Sequence, residues 1–87
     1  MFVLIERYIN NLTIHDLNNL AINKGIALSP EELNFSYDFI KKNWKTVLSN
    51  YSLFDIDKYK SNYSEENFFK IKQLIKEYTL KYGNYLK

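Results

Sequence analysis

The sequence contains no cysteine and no long apolar run. The lack of cysteine excludes disulfides, thiolate metal sites and a cysteine nucleophile, and it fits a reducing compartment. The apolar run at the start, residues 2–5, is followed at once by Glu6 and Arg7, so we expect no signal peptide. Nothing approaches the roughly 20 apolar residues that a membrane span needs. We therefore predict a cytoplasmic protein that does not enter a membrane.

Glycine, proline and histidine are also scarce. Two isolated glycines cannot form a glycine-rich phosphate loop. His15 is the only histidine and has no cysteine to complete a zinc site, so we interpret it as a surface residue. Asp55, Asp57 and Glu66 match three positions of a calcium-binding EF-hand, but Lys60 stands where that loop needs glycine. The sequence therefore predicts no metal, no cofactor and no small-molecule ligand.

What the sequence does supply is apolar and aromatic material for one small domain. Of its 87 residues, 46% are hydrophobic and 17% aromatic. This is enough to form the core of a single helical domain over residues 1–87. The net charge of +2 is well below the positive charge density of a dedicated nucleic-acid-binding domain. These values are typical of an ordered globular domain and argue against intrinsic disorder.

A central helix near residues 30–48 organises the rest of the chain. Ser29 is a good N-cap, Pro30 stands at the first helical position, and Glu32 completes a capping box with Ser29. Apolar residues then recur at helical spacing and form one stripe of Leu33, Tyr37, Ile40, Trp44 and Val47. We expect the other helices to pack against this one.

Two helices are predicted before the central one. The first spans Phe2–Asn11, and its inner face draws on Val3 or Leu4, Ile5, Tyr8, Ile9 and Leu12. Thr13 caps the second helix with Asp16 as its capping-box partner, and Gly25 ends it. Its predicted inner face consists of Ile14, Leu17, Leu20 and Ala21. Residues 26–28 follow as an extended link that folds back onto this helix pair.

Two further helices are predicted after the central one. Ser52 and Asp55 are candidate caps for a short helix over Leu53–Lys60, which breaks at residues 61–62. Ser64 caps the last helix, whose apolar face contains Phe68, Phe69, Ile71, Leu74, Ile75, Tyr78 and Tyr82. No segment shows an extended strand-like alternation. The predicted fold class is therefore all-α, a compact bundle of four to five helices around the central helix.

Phe35 and Phe39 lie on the central helix but away from its main stripe. If the first two helices cover one side of the central helix, these two rings need another partner. That partner is either the last helix or a second protein chain. Because exposed aromatic patches commonly mark interfaces, Phe35 and Phe39 form the candidate protein interface. The first helix is the other candidate.

Lys41, Lys42 and Lys45 cluster on the second half of the central helix. A solvated lysine face is the usual meaning of such a cluster. The alternative is a weak surface for nucleic acid or another anionic partner. Arg7 is the only arginine, so the bidentate contacts that arginine makes to phosphate or guanine are scarce.

The second and central helices also bear a partial likeness to a helix-turn-helix unit. Ala21 and Gly25 have the spacing that such units show. The connection up to Pro30 is longer than their usual turn of three to four residues. Glu31 and Glu32 at the start of the would-be recognition helix would be repelled by phosphates. The unit is therefore a degenerate helix-turn-helix at best.

A resemblance to a known family rests on capping and core residues, namely Asn11-Leu12-Thr13, Asp16-Leu17, Ala21, Gly25-Ile26-Ala27-Leu28-Ser29 and Glu32, followed by Phe54-Asp55-Ile56. The chain is similar here to a family of short, uncharacterised proteins of Gram-positive bacteria that is classed as a domain of unknown function. The similarity runs from Ile9 to Tyr78. It implies a small helical cytoplasmic protein and carries over no catalytic or binding residue.

No combination of residues predicts catalysis. The sequence contains serine, histidine and aspartate, the residue types of a catalytic triad, but it has no G-x-S-x-G motif around a serine. We therefore expect no enzyme. The predicted function is a non-enzymatic interaction module that binds a protein partner or a second copy of itself. The alternative is a weak nucleic-acid-associated regulator that uses the lysine face and the degenerate helix-turn-helix.

Overall fold

The computed structural model describes residues 2–49 and 54–82, except for the side chains of Phe2 and Tyr82. Over these residues the chain forms four α-helices and one 3₁₀-helix, and no strand. They are α1 (Phe2–Asn11), α2 (Ile14–Asn23), α3 (Pro30–Ser49), the 3₁₀-helix η1 (Ile56–Asn62) and α4 (Glu65–Tyr82). Helix α3 contacts α1, α2 and α4, which confirms the predicted all-α bundle around a central helix. None of the described helices is both long and apolar enough to cross a membrane.

Helices α2 and α3 begin at their predicted capping boxes. The Thr13 hydroxyl accepts a hydrogen bond from the Asp16 N–H at 3.0 Å, and the Asp16 carboxylate accepts one from the Thr13 N–H at 3.0 Å. Ser29 and Glu32 make the equivalent pair of bonds at 3.1 and 2.8 Å. These side chains satisfy N–H groups that have no partner within the helix, which explains why both helices start there.

Helix α2 ends in a Schellman motif at Gly25, whose φ is +76°. The Ile26 N–H donates to the Ala21 carbonyl at 2.8 Å, and the Gly25 N–H donates to the Ile22 carbonyl at 3.0 Å. This pair of bonds defines the motif, and glycine adopts the positive φ without strain. Ile26 is only 2% exposed, so the link to α3 folds back into the core as predicted.

The first turns of α3 and α4 meet in a polar junction around the buried carboxylate of Glu32. Its Oε1 accepts bonds from the Ser29 N–H at 2.8 Å and the Asn67 side-chain amide at 2.9 Å. Its Oε2 accepts a bond from the Ser64 N–H at 2.7 Å. Asn67 also donates to the Ala27 carbonyl, and Ser64 Oγ accepts from the Asn67 N–H, so Ser64 caps α4 as predicted. One carboxylate thus joins the starts of the two longest helices.

The apolar core is thin. Eight apolar side chains of the described residues are buried, namely Leu12, Leu17, Ala21, Ile26, Trp44, Val47, Ile56 and Phe68. The predicted stripe of α3 faces this core, with its last two members buried and with Leu33, Tyr37 and Ile40 half-buried. No large side chain in the described part of the chain is less than 2% exposed. Much apolar surface therefore stays in contact with solvent.

Some residues that were predicted to face the core lie on the surface instead. The misplaced residues are Val3, Leu4 and Tyr8 on α1, Ile14 on α2 and Phe69 on α4. On α1 the error has a simple physical cause. The apolar side of this helix is about 140° wide, from Leu4 through Tyr8 and Ile5 to Ile9, and α3 covers only the edge that carries Ile5 and Ile9. Val3 lies outside this arc, on the polar side of the helix.

The segment between α3 and α4 forms its helix later than predicted. The expected helix covers Leu53–Lys60, whereas η1 covers Ile56–Asn62 and runs through the predicted break. The Asp55 carboxylate accepts a bond from the Asp57 N–H at 3.2 Å. Asp55 is thus the cap that is used, and the helix begins just after it. The other candidate cap, Ser52, lies outside the described residues.

Candidate functional site

Helix α1 exposes an apolar face on the side away from α3. Ile5 and Ile9 are half-buried, whereas Val3, Leu4 and Tyr8 are 60%, 60% and 59% exposed. Leu4 and Tyr8 are one helical turn apart and continue the apolar side of the helix beyond Ile5 and Ile9, whereas Val3 lies on its polar side with Arg7 and Asn10. We call the uncovered residues Leu4 and Tyr8 the α1 outer face.

An open groove of about 680 Å³ runs between α1 and α2 beside this face. Its apolar residues are Leu4, Tyr8, Leu12 and Leu20. Its polar residues are Arg7, Asn11, Asp16, Asn19 and Asn23. A combination of exposed apolar and polar side chains is typical of a protein-binding surface. We call the groove and the α1 outer face together the α1–α2 surface.

Side chains of α3 hold the C-terminal end of α1 in place. Lys41 Nζ donates to the Ile9 carbonyl at 2.6 Å and to the Asn10 carbonyl at 3.1 Å. The Tyr37 hydroxyl donates to the Leu12 carbonyl at 2.9 Å. The last carbonyls of a helix have no partner within it, and a cation there also meets the negative end of the helix dipole. Helix α1 is therefore fixed with its outer face toward solvent.

The α1–α2 surface carries one cation and one anion, Arg7 and Asp16. The bond from the Thr13 N–H to the Asp16 carboxylate, and then the bond between this carboxylate and the Thr13 hydroxyl, lower the pKa of Asp16. Asp16 is therefore ionised at neutral pH, and Arg7 is always charged. His15, beside Asp16, is exposed as expected. The surface thus combines apolar side chains with one charge of each sign.

The structure places Phe35 and Phe39 against η1 and its flanking residues. The Phe35 ring centre lies 5.7 Å from those of Tyr59 and Tyr63. The Phe39 ring centre lies 4.9 Å from that of Tyr59 and 5.6 Å from that of Phe54. Both phenylalanines are half-buried. Rings around η1 thus provide the contacts that were expected from the last helix or a second chain. An interface on their remaining exposed edges stays a prediction.

Two of the three lysines that were proposed to bind nucleic acid contact α1 instead. Lys41 donates to carbonyls at the end of α1, and Lys45 Nζ lies 3.5 Å from the Glu6 carboxylate. Lys42 is exposed and forms no ion pair with a described residue. Two of the three cations that would attract phosphate therefore already have intramolecular partners, and the expected free lysine face is much reduced.

The second and third helices are joined by residues 24–29, a connection longer than the turn of a helix-turn-helix unit. Glu32 in the first turn of α3 is buried against α4, and Glu31 beside it is exposed. An exposed carboxylate at the end that would enter a DNA groove disfavours contact with phosphates. This geometry gives no support to DNA binding through the two helices.

The residues considered for a calcium site have separate structural partners. Asp57 pairs with Lys72 at 2.9 Å, and Glu66 pairs with Lys70 at 3.5 Å. Asp55 caps η1. Within residues 2–49 and 54–82, no three His, Asp or Glu side chains lie close enough together to hold a metal ion.

The first helix is a possible interface in the sequence-based prediction, but Val3, Leu4 and Tyr8 are predicted to lie in the core. The exposure of the α1 outer face was therefore not predicted. A usable signal was present only for Val3, which shares the polar side of the helix with Arg7 and Asn10. Leu4 and Tyr8 adjoin Ile5 and Ile9 on the apolar side, so the pattern alone does not show that they are uncovered.

Comparison with protein-family models, curated proteins and solved structures finds no match to this chain. The resemblance to the family of Gram-positive proteins therefore stays a prediction.

Proposed function

We propose that the protein is a non-enzymatic helical interaction module of the cytoplasm that binds a protein partner through the α1–α2 surface. The observation that carries this proposal is the exposure of Leu4 and Tyr8, one turn apart, on a helix that Lys41 and Tyr37 hold in place. Large apolar side chains that are exposed together on a fixed element usually mark a binding surface. A preorganised surface also loses little conformational freedom on binding.

The composition of the groove supports a helical partner. Leu4 and Tyr8 are one helical turn apart and lie at the groove together with Leu12 and Leu20. An amphipathic helix can lay apolar side chains of the same spacing into such a groove. The asparagine side chains at the rim can donate and accept hydrogen bonds to the polar side of that helix.

The displaced pKa values support a non-enzymatic role, because each displaced group belongs to a structural contact. Asp16 caps α2, and Glu32 joins α3 to α4. Burial raises the pKa of Tyr63, whose hydroxyl lies 2.6 Å from Ser36 Oγ and links η1 to α3. The charge of Glu32 also contributes to the raised pKa of Tyr63, so these two groups lie near each other, but neither borders the groove between α1 and α2. The proposal includes no cofactor and no metal.

Nucleic-acid binding through Lys41, Lys42 and Lys45 draws less support, since two of these lysines contact α1. It makes a distinct prediction, because binding through phosphates weakens steeply as salt concentration rises. A salt series with the purified protein and a short duplex therefore separates this alternative from the proposal.

Affinity capture with a pair of matched variants tests the proposal. Leu4→Ser combined with Tyr8→Ser changes the α1–α2 surface, whereas Leu80→Ser changes a leucine that is 71% exposed on α4. We expect the double variant to lose at least about tenfold in captured partner, and the Leu80 variant to retain it. Capture should survive nuclease treatment, and circular dichroism should show unchanged helicity. Equal capture by both variants, or capture that nuclease abolishes, would contradict the proposal.

A further inference from the structure

We infer that the partner of the α1–α2 surface is a second copy of this chain, in a two-fold symmetric dimer whose α1 helices lie side by side. The inference rests on the proposed function, because it uses the same surface and names its occupant. A two-fold interface brings the same patch of both copies together, so that patch must be complementary to itself. The apolar contacts, the charges and the hydrogen-bonding groups of the surface each meet this condition.

The apolar part of the surface contains both a ridge and a groove. Leu4 and Tyr8 stand out from α1 and also border the groove next to it. A two-fold axis beside α1 places the ridge of each copy at the groove of the other. Each copy then buries the same exposed leucine and tyrosine. Tyrosine is among the side chains most enriched in the energetically important centres of interfaces.

The charges of the surface also complement themselves. Arg7 and Asp16 border the same groove, and Arg7 forms no ion pair with a described residue. A two-fold arrangement allows Arg7 of each copy to face Asp16 of the other. The dimer then contains two symmetry-related ion pairs. The other nearby acid, Glu6, is already neutralised by Lys45. The net charge of only +2 per chain causes little repulsion between copies.

The polar rim adds a third kind of self-complementarity. Asn11 and Asn19 border the groove, and each side-chain amide carries both a donor and an acceptor. Amides on identical surfaces can therefore pair with each other, whereas rims of one charge or of acceptors alone would repel. A different protein as partner would not require the apolar contacts, the charges and the hydrogen-bonding groups of this surface to complement themselves.

Sedimentation equilibrium of the purified full chain and a set of variants tests the inference. We expect the wild type to sediment as a dimer, and the Leu4→Ser, Tyr8→Ser double variant to sediment as a monomer with unchanged helicity. Arg7→Glu places a carboxylate opposite Asp16 twice per dimer, so it should raise the dissociation constant by at least about tenfold. Arg7→Lys keeps the charge and should stay within about threefold of the wild type.

Two matched controls complete the design. Lys42→Glu makes the same change of charge as Arg7→Glu on an exposed part of α3, and Leu80→Ser removes an exposed leucine on α4. Both should dimerise like the wild type. A monomeric wild type, or a dimer that Arg7→Glu weakens no more than Lys42→Glu does, would overturn the inference. If the wild type is monomeric but affinity capture still depends on Leu4 and Tyr8, the proposed function stands and only the second copy as partner is rejected.

Discussion

Glu32 shows how a single buried side chain can serve two helices. Burial alone would raise its pKa, but bonds from the Ser29 and Ser64 N–H groups and from the Asn67 amide outweigh this effect. The pKa of Glu32 is therefore held below its ordinary value of 4.5. A carboxylate with a lowered pKa in the folded state contributes stability that is present above its unfolded pKa and is lost as the pH falls through its folded pKa.

Glu32→Gln should therefore destabilise the protein at neutral pH and weaken its acid sensitivity. The new amide cannot accept a bond from the Ser64 N–H with its nitrogen, and the charge that strengthens the other bonds is gone. We expect a loss of about 2 kcal/mol in the free energy of unfolding at pH 7. In the wild type this contribution should fade below about pH 4.5, so the two proteins should approach each other in stability there.

Urea denaturation of both proteins at several pH values measures this effect. Glu31→Gln is the matched control, since Glu31 is the neighbouring acid in the same helical turn but is exposed. It should cost less than about 1 kcal/mol, the usual size of an exposed charge at a helix end. A Glu32 variant that loses no more stability than the Glu31 variant would show that the polar junction does not stabilise the fold.

At the scale of helices, η1 depends on aromatic rings that α3 presents to it. The Phe39 ring lies 6.1 Å or less, centre to centre, from those of Phe35, Phe54 and Tyr59. Phe35 and Phe39 are one turn apart on α3, so they offer η1 a continuous surface. Isolated helices of this length are unstable in water, so η1 depends on these ring contacts together with its contacts to α4, which include the Asp57–Lys72 ion pair.

Phe39→Ala should destabilise the fold and loosen η1 in particular. Removal of a half-buried phenylalanine that contacts three rings should cost about 2 kcal/mol, below the range for fully buried rings. Phe69→Ala is the control, because Phe69 is 63% exposed and should cost less than about 0.5 kcal/mol. Hydrogen exchange should show faster exchange of the Tyr59 and Tyr63 amides only in the Phe39 variant. Similar destabilisation by both variants would contradict a packing role for Phe39.

The starts of α2, α3 and α4 could be predicted from the sequence because they depend on neighbouring residues. Thr13, Ser29 and Ser64 act as N-caps through bonds to N–H groups three residues away. Gly25 ends α2 through its own backbone conformation. Such interactions are local, so their residue types and spacing are visible in the chain itself.

Local patterns could not predict which side of a helix is covered, or what the ends of long side chains contact. Lys41 and Lys45 look like a free cationic face until α1 is placed beside them. The exposure of Leu4 and Tyr8 likewise depends on which side of α1 meets α3. Contacts between residues far apart in the chain decide these features, and a single sequence carries little information about them.

On the scale of the whole molecule, the described residues leave several large apolar side chains exposed. Chains of this size bury only about 60–65% of the surface that they expose when unfolded. Here 46% of the residues are hydrophobic, yet only eight apolar side chains of the described residues are buried. A second copy on the α1–α2 surface would remove Leu4 and Tyr8 from water and so increase the apolar area that each chain buries.

A dimer of this kind makes the thermal stability depend on protein concentration. Association favours only the folded state, so each tenfold rise in concentration above the dissociation constant adds about 0.7 kcal/mol per chain. For a domain of this length, that shift should raise Tm by about 3–5 °C. Scanning calorimetry of the wild type over a tenfold concentration range should show this rise, whereas the Leu4→Ser, Tyr8→Ser variant should melt at one temperature throughout. A wild-type Tm that does not change with concentration would indicate that the folded chain is monomeric. The exposed apolar side chains of α1 would then need a partner other than a second copy.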